Sequence, residues 1–204
     1  MSMKNIKVFI FGLVFMFVLA ACGGQKSSNE TGDTNGIEPI VMKGIADFSF
    51  TTQDNDTLSL DDLKGKWWIA DFVFTNCTTV CLPMTSNMSA LQDRIKEERL
   101  DVQLVTFTVD PARDTAEVLK EYGEEYDADF DSWTFLTGYD FETITELSTK
   151  SFLSSLQPPR EGSDQITHGI RFHLVNPKGE MIKYYDGVNF NEIETIIEDL
   201  KKVD

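Results

Sequence analysis

Two histidines and three cysteines are all the imidazole and thiol groups that the 204-residue chain contains. Any site built on that chemistry must draw on Cys22, Cys77, Cys81, His168 and His173. The disulfide framework that staples small secreted domains needs more cysteines than these. Basic side chains are scarce as well: 18 Lys and Arg stand against 34 Asp and Glu, a formal net charge of −16. Such a surface repels phosphates and anionic headgroups, which excludes nucleic acid as a partner and any broad electrostatic grip on a membrane. It favours a basic protein or a cation, although surplus carboxylates also serve solubility. The longest uncharged apolar run, Val8 to Ala21, has 14 residues. As a helix it covers about 21 Å, short of the ~30 Å hydrocarbon core of a bilayer.

That run sits in an export pattern. Lys4 and Lys7 make a positive start, and the apolar stretch ends in Leu19-Ala20-Ala21-Cys22, similar to a bacterial lipobox. The expectation is a lipoprotein signal peptide over 1–21 and a lipid anchor on Cys22, holding the folded part at the extracytoplasmic face of the cytoplasmic membrane. An uncleaved signal anchor is the alternative, and it gives the same side. Removing Lys4 and Lys7 leaves the chain more acidic still. Residues 22–38 are rich in Gly, Ser, Asn, Thr and Asp, as a flexible tether would be. One domain over 39–204 follows, and 41% hydrophobic content is enough for a core of its own.

Within that domain, Phe48 to Leu60 reads as short strands around Asp54-Asn55-Asp56, and Lys64-Gly65-Lys66 as a turn. Trp67 to Phe74 is a nearly unbroken apolar run, the pattern of a central parallel strand buried on both faces. Met84, Met88, Leu91 and Ile95 form one stripe of a helix ending near Arg99, which makes core packing the better reading of the two methionines than thioether ligation. Val102 to Val109 is a further strand. Asp114 to Glu117 has the form of a capping box, opening a helix to about Tyr126. Trp133 to Leu136 is a strand, a helix starts near Phe141, and Ser154 to Thr167 is a polar loop. Ile170 to Val175 and Met181 to Tyr185 make a hairpin about Asn176-Pro177-Lys178-Gly179. Phe190, Ile193, Ile196, Ile197 and Leu200 mark a closing helix. This order predicts an α/β fold of the thioredoxin-like type, with a central mixed sheet flanked by helices and an N-terminal hairpin extension.

With Cys22 acylated, Cys77 and Cys81 are the thiols left. They follow the carboxyl end of the central strand, where open α/β sheets place their ligand crevices. The segment also leads into a helix, whose amino-terminal dipole favours thiolate over thiol, and Pro83 suits a first helical turn. If 77–81 is itself helical, the i, i+4 spacing puts both sulfurs on one face, close enough for a disulfide or for one metal ion. Two thiolates suit Cu(I), and an added imidazole makes a set that also holds Cu(II). His168 and His173 differ by an odd number, so on one strand they would face opposite sides of the sheet. His173 reads as a packed or exposed strand residue; His168, after the polar loop, can reach a crevice or be solvated. Asp110 and Arg113 follow a strand at the same edge. They could order the His168 loop or meet a partner; equally, Asp110-Pro111 could form a turn and Asp114 cap a helix. The acidic group from Glu121 to Asp131 reads as a solvated helix end, able to attract a basic or metal-bearing partner.

The run Asp71 to Met84, with its Cys-x-x-x-Cys-Leu-Pro, resembles the signature of the Sco/SenC family. Val109-Asp110-Pro111-Ala112-Arg113-Asp114-Thr115, His168 ahead of an apolar strand, and Asn176-Pro177-Lys178-Gly179 are similar to further family motifs and fall in the expected order. Asn176 departs from the Asp that many members carry there, which affects the turn and leaves the site untouched. The resemblance implies one copper ion, as Cu(I) or Cu(II), held by Cys77, Cys81 and His168. It implies service to the CuA centre in subunit II of cytochrome c oxidase, by delivery of copper, by reduction of the acceptor cysteines, or by both, with a copper donor or a thiol reductant protein as a further partner. Two other classes compete. A thiol–disulfide oxidoreductase without copper transfer would expect Cys-x-x-Cys and usually a Pro ahead of the late strand, where this chain has Thr167-His168. A thiol peroxidase would expect a Pro at the place of Phe74.

Overall fold

Seven consecutive buried residues, Trp67–Val73, form the strand about which the sheet is laid in a computed structural model that describes residues 36–203. The expected signal peptide, the Cys22 anchor and most of the tether lie outside the described residues. In chain order the elements are β1 (Lys43–Gly44), β2 (Ser49–Thr52), β3 (Thr57–Ser59), α1 (Leu60–Leu63), β4 (Trp67–Val73), α2 (Cys81–Glu98), β5 (Val102–Thr108), α3 (Ala116–Glu125), β6 (Trp133–Thr137), α4 (Phe141–Phe152), β7 (Arg171–Val175), β8 (Glu180–Asp186) and α5 (Glu192–Leu200). The sheet has eight strands in the order β1-β8-β7-β4-β5-β6-β2-β3.

The topology accounts for the apolar run of β4. The strand pairs in parallel with β5, Asp71 opposite Thr106, and β5 pairs in parallel with β6. On its other edge β4 pairs antiparallel with β7, Ala70 opposite His173. With both edges bonded and both faces covered, no position of β4 meets water, so nearly every side chain on it must be apolar. The α/β class and the mixed, helix-flanked sheet of the sequence reading are thus present. One face receives α2 through Met84, Met88, Leu91 and Ile95, all buried; the two methionines are core residues. On the other face Phe152 of α4 packs edge-on to Trp68 and Phe72. Burying one such side chain contributes roughly 1.5–3 kcal/mol. His173 belongs to this second face, against Phe72 and Phe152, with Nδ1 3.2 Å from the Met181 sulfur. Burial pushes its pKa down to about 3, so the ring is neutral.

Several elements differ from the sequence reading. The expected N-terminal hairpin is present as β2–β3, but β2 pairs with β6 at the far edge of the sheet, and the short β1 and α1 go unsignalled because each is under five residues. Ile37 is 1% exposed, so the core draws on a residue inside the segment read as tether. Asp114 does not cap α3; Thr115 does, its hydroxyl accepting from the Val118 amide at 3.4 Å. Phe190 lies before α5 at 65% exposure rather than on its apolar stripe. The expected turn between β7 and β8 is present: Asn176 Oδ1 accepts from the amides of Lys178 and Glu180, both at 3.0 Å, and Gly179 takes a φ of 76°.

One charge-bearing group stands inside β4. Asp71 is 1% exposed; Oδ1 accepts from Thr106 Oγ1 at 2.7 Å, while Oδ2 has no partner among the described residues. Burial raises its pKa to about 7, only partly offset by the Thr106 bond. Because this folded value lies above the unfolded one, the folded state binds the extra proton between about pH 4 and 7. Stability from Asp71 is therefore complete below pH 4 and is lost as pH rises to and through 7, by roughly 4 kcal/mol in total. Asp71→Asn should accordingly match the parent near pH 4 and exceed it by a few kcal/mol at pH 8 in urea unfolding. A stability difference that stays constant across this range would mean that Asp71 is already ionised in the folded protein.

Candidate metal centre

Where β4 ends, residues 74–80 turn back before α2 begins at Cys81. Cys77 therefore lies in the loop and not on the helix, contrary to the helical i, i+4 geometry considered from spacing. The sulfurs meet by a different route. The Cys77 amide donates to the Phe74 carbonyl at 3.2 Å, which tightens the turn. Thr75 donates to the Asp114 carboxylate through its amide at 3.2 Å and its hydroxyl at 2.6 Å, and Thr108 donates to the same carboxylate. Asp114 is completely buried, and burial raises its pKa against these bonds. It ties the cysteine loop to the end of β5.

Cys81 occupies the first turn of α2, where amides lack helical partners. Its N–H donates to Cys77 Sγ at 3.4 Å, and Thr79 Oγ1 stands 3.8 Å from that sulfur. His168 Nε2 lies 3.1 Å from Cys81 Sγ, and Nδ1 lies 2.8 Å from the Gly169 carbonyl. A carbonyl oxygen only accepts, so Nδ1 carries the proton. Nε2 then presents its lone pair toward the sulfurs. Hydrogen bonding from Cys81, aided by the loop amides, holds the Cys77 thiol far below its ordinary range. The Cys77 bond and burial push Cys81 up. The pair is thus polarised, Cys77 toward thiolate and Cys81 toward thiol.

The sequence-predicted trio is brought together: the ligand atoms of Cys77, Cys81 and His168 all lie within 4.8 Å of one another. Asp110 and Arg113 stand outside that cluster. Asp110 forms the expected turn, its carbonyl accepting from the amides of Arg113 and Asp114. Its carboxylate meets Arg113 at 3.2 Å, and Arg113 lies 3.7 Å from Asp164 on the His168 loop. That loop is less free than its polarity suggests. Gln157 and Thr167 exchange two backbone bonds of 2.9 and 3.1 Å, and Leu156 and Ile166 are buried. This bridge closes the loop one residue before His168. A side chain at Gly169 would collide with Ser154 Oγ, so only glycine lets the backbone pass this close to Ser154. Phe74 packs edge-on against the ring with centroids 5.9 Å apart.

Sequence reasoning missed Asn76, Asp164 and Gln165, which join the two loops: Asn76 Nδ2 donates to Asp164 Oδ2 at 2.7 Å, and Gln165 reaches the backbone on either side of Cys77. Only proximity in sequence to Cys77 and His168 hinted at them.

A protein-family model described as SCO1/SenC matches residues 41–203. The chain belongs to the SCO1/SenC family. Among solved structures it is similar to a SCO1/SenC family lipoprotein from Bacillus anthracis, at 43% identity and a TM-score of 0.77 over 81% of this chain and 97% of that one. It is similar to BsSco, a member of the Sco family of cytochrome c oxidase assembly proteins in which a disulfide switch is identified, at 41% identity and 0.74 over 81% and 95%. Arabidopsis thaliana ScoI with copper bound matches at 25% and 0.67 over 78% and 98%. These relatives share the fold, and the chain spans nearly all of each.

Unequal thiol states in this SCO1/SenC site have a direct chemical readout. With substoichiometric iodoacetamide at pH 7, reduced protein should be alkylated at Cys77 well before Cys81, as peptide mass spectrometry would record. The reverse order would contradict the assignment of the proton to Cys81.

Proposed function

We propose that this chain binds one copper ion through Cys77, Cys81 and His168 and serves the maturation of the CuA site in subunit II of cytochrome c oxidase. The observation that carries this reading is the S₂N donor set, with the imidazole lone pair turned toward the two sulfurs. Two soft sulfurs and one imidazole match the preferences of Cu(I) and also accommodate Cu(II). Copper is cargo here. Loading displaces the remaining proton from Cys81, and the Gly169 carbonyl keeps the ring in the tautomer that can ligate. Membership of the family, a copper-bound relative and a relative assigned to oxidase assembly all point the same way.

The same thiols support a second reading, reduction of the acceptor's cysteines, favoured by the thiolate at Cys77. Cys77 would attack an acceptor disulfide, forming a mixed disulfide and releasing one acceptor thiolate. Cys81 would pass its proton to His168 and attack Cys77, releasing the second acceptor thiolate and leaving a Cys77–Cys81 disulfide. Two electrons pass to the acceptor and the proton stays on the imidazole. Both roles place the domain outside the cytoplasm, tethered through an acylated Cys22, where subunit II presents its copper site and the basic or metal-bearing partner favoured by the acidic surface can be met.

The deciding experiment is copper titration of the reduced protein, followed by transfer to an apo subunit II fragment. The reduced form should bind one equivalent and pass it on, while the disulfide form should bind none appreciably. His168→Ala, with both cysteines intact, should weaken Cu(II) binding severely and abolish its sulfur-to-copper charge-transfer absorption. Unchanged spectra in that variant would move the ligand assignment elsewhere, and equal copper affinity in the two redox states would remove the coupling.

A further inference from the structure

Cys77 and His168 come from segments that share no strand ladder, yet their relative position must hold to within a fraction of an ångström for both to reach one ion. Gln165 spans the gap at two points of the cysteine loop. The Gln165 carboxamide accepts from the Thr78 amide at 3.2 Å through Oε1 and donates to the Asn76 carbonyl at 3.0 Å through Nε2. It therefore grips the main chain immediately before and after Cys77, as a neighbouring β-strand residue would. Oε1 is also 3.4 Å from Thr78 Oγ1, and Nε2 is 2.9 Å from Asp164 Oδ1. Asp164 in turn is held by Asn76 and faces Arg113. Gln165 precedes His168 by three residues, with the Gln157–Thr167 bridge between them.

We infer that Gln165 is a positioning residue for the metal site, a clasp that sets the separation of the His168 imidazole from the Cys77 sulfur and so governs how tightly Cu(II) is held. The inference rests on the copper reading above. Only a carboxamide serves the purpose: it offers an acceptor to an N–H and a donor to a C=O on the same stretch of chain, which a carboxylate or a hydroxyl cannot do with the same two contacts. Release of the clasp frees the His168 loop while leaving both sulfurs in place. The loss then falls on Cu(II), which needs the imidazole, rather than on Cu(I), for which two thiolates suffice.

The test compares the reduced full-length parent, Gln165→Ala and Gln165→Glu, each titrated with Cu(II) ion against a chelator and with Cu(I) under anaerobic conditions. Gln165→Ala should lose about 10- to 100-fold in Cu(II) affinity, the range found when a residue supporting a ligand is removed. Its Cu(I) affinity should stay within about threefold of the parent and its charge-transfer band should shift. Gln165→Glu keeps one acceptor and places a negative charge beside the Asn76 carbonyl, so it should fall on the same side as Ala. Apo-protein melting temperatures serve to separate a folding defect from a site defect. Parent-like Cu(II) affinity and spectrum in Gln165→Ala would overturn the inference, as would equal losses for Cu(I) and Cu(II). If the parent itself binds no copper, the functional reading fails instead.

Discussion

The double pairing of β4 is the constraint on which the rest of the molecule depends. A strand with bonded neighbours on both edges and packed layers on both faces leaves its chain one way out, past its carboxyl end, and everything chemical is gathered there. Cys77 and Cys81 belong to the first loop and helical turn beyond that exit. Asp110 and Asp114 follow the neighbouring parallel strand β5 and so emerge beside them. The antiparallel strand β7 runs the opposite way next to β4, so the segment entering it, with His168, arrives at the same edge from the other side. Parallel and antiparallel neighbours of one central strand thus bring an exit and an entrance together, and the three donors are a product of that arrangement.

Buried polar groups do the fine positioning. Among the described residues Asp114 has no ionic partner, and the Thr75 amide and the Thr75 and Thr108 hydroxyls satisfy it. A charge enclosed in this way is tolerated only while those donors stay in place, so it resists displacement of the cysteine loop. The Gly169 carbonyl performs a comparable task for His168, since it decides which ring nitrogen carries hydrogen. The two thiols then divide into thiolate and thiol through contacts with each other, with the imidazole and with the amide at the head of α2. The inventory is small, and each member has one evident task.

Much of this was legible in the residue order. The apolar run of β4, the stripe on α2 and the hairpin of β7 and β8 are read correctly because their periodicity reflects burial, the same physics that forms them. The donor trio is legible for another reason: it follows from the resemblance of its motifs to the Sco/SenC family, while parity along a strand separates His173 from His168 without bringing His168 to the sulfurs. What stayed hidden has physical causes too. Asp114 followed by Thr115 offers two possible helix caps, and the choice between them depends on partners 39 and 6 residues away in sequence, Thr75 and Thr108. The helical spacing of Cys77 and Cys81 is not realised, because the Thr75 anchor and the Phe74 carbonyl hold the chain in a turn until Cys81. Gln165 and Asp164 stand in a polar stretch with no period, where propensity carries no information about contacts across the crevice.

The backbone bridge between Gln157 and Thr167 separates two properties of the His168 segment. Residues inside it, from Pro158 to Ser163, are exposed and contribute nothing to the core. Extending a loop beyond a closed neck costs little, about 0.6 kcal/mol for a doubling of its length, and the neck together with the Gln165 contacts keeps the imidazole where it is. Evolution can therefore lengthen, shorten or recolour the tip to suit a new docking face while the donor atoms stay put. Recognition and coordination are carried by adjacent residues of one segment, yet they can drift independently.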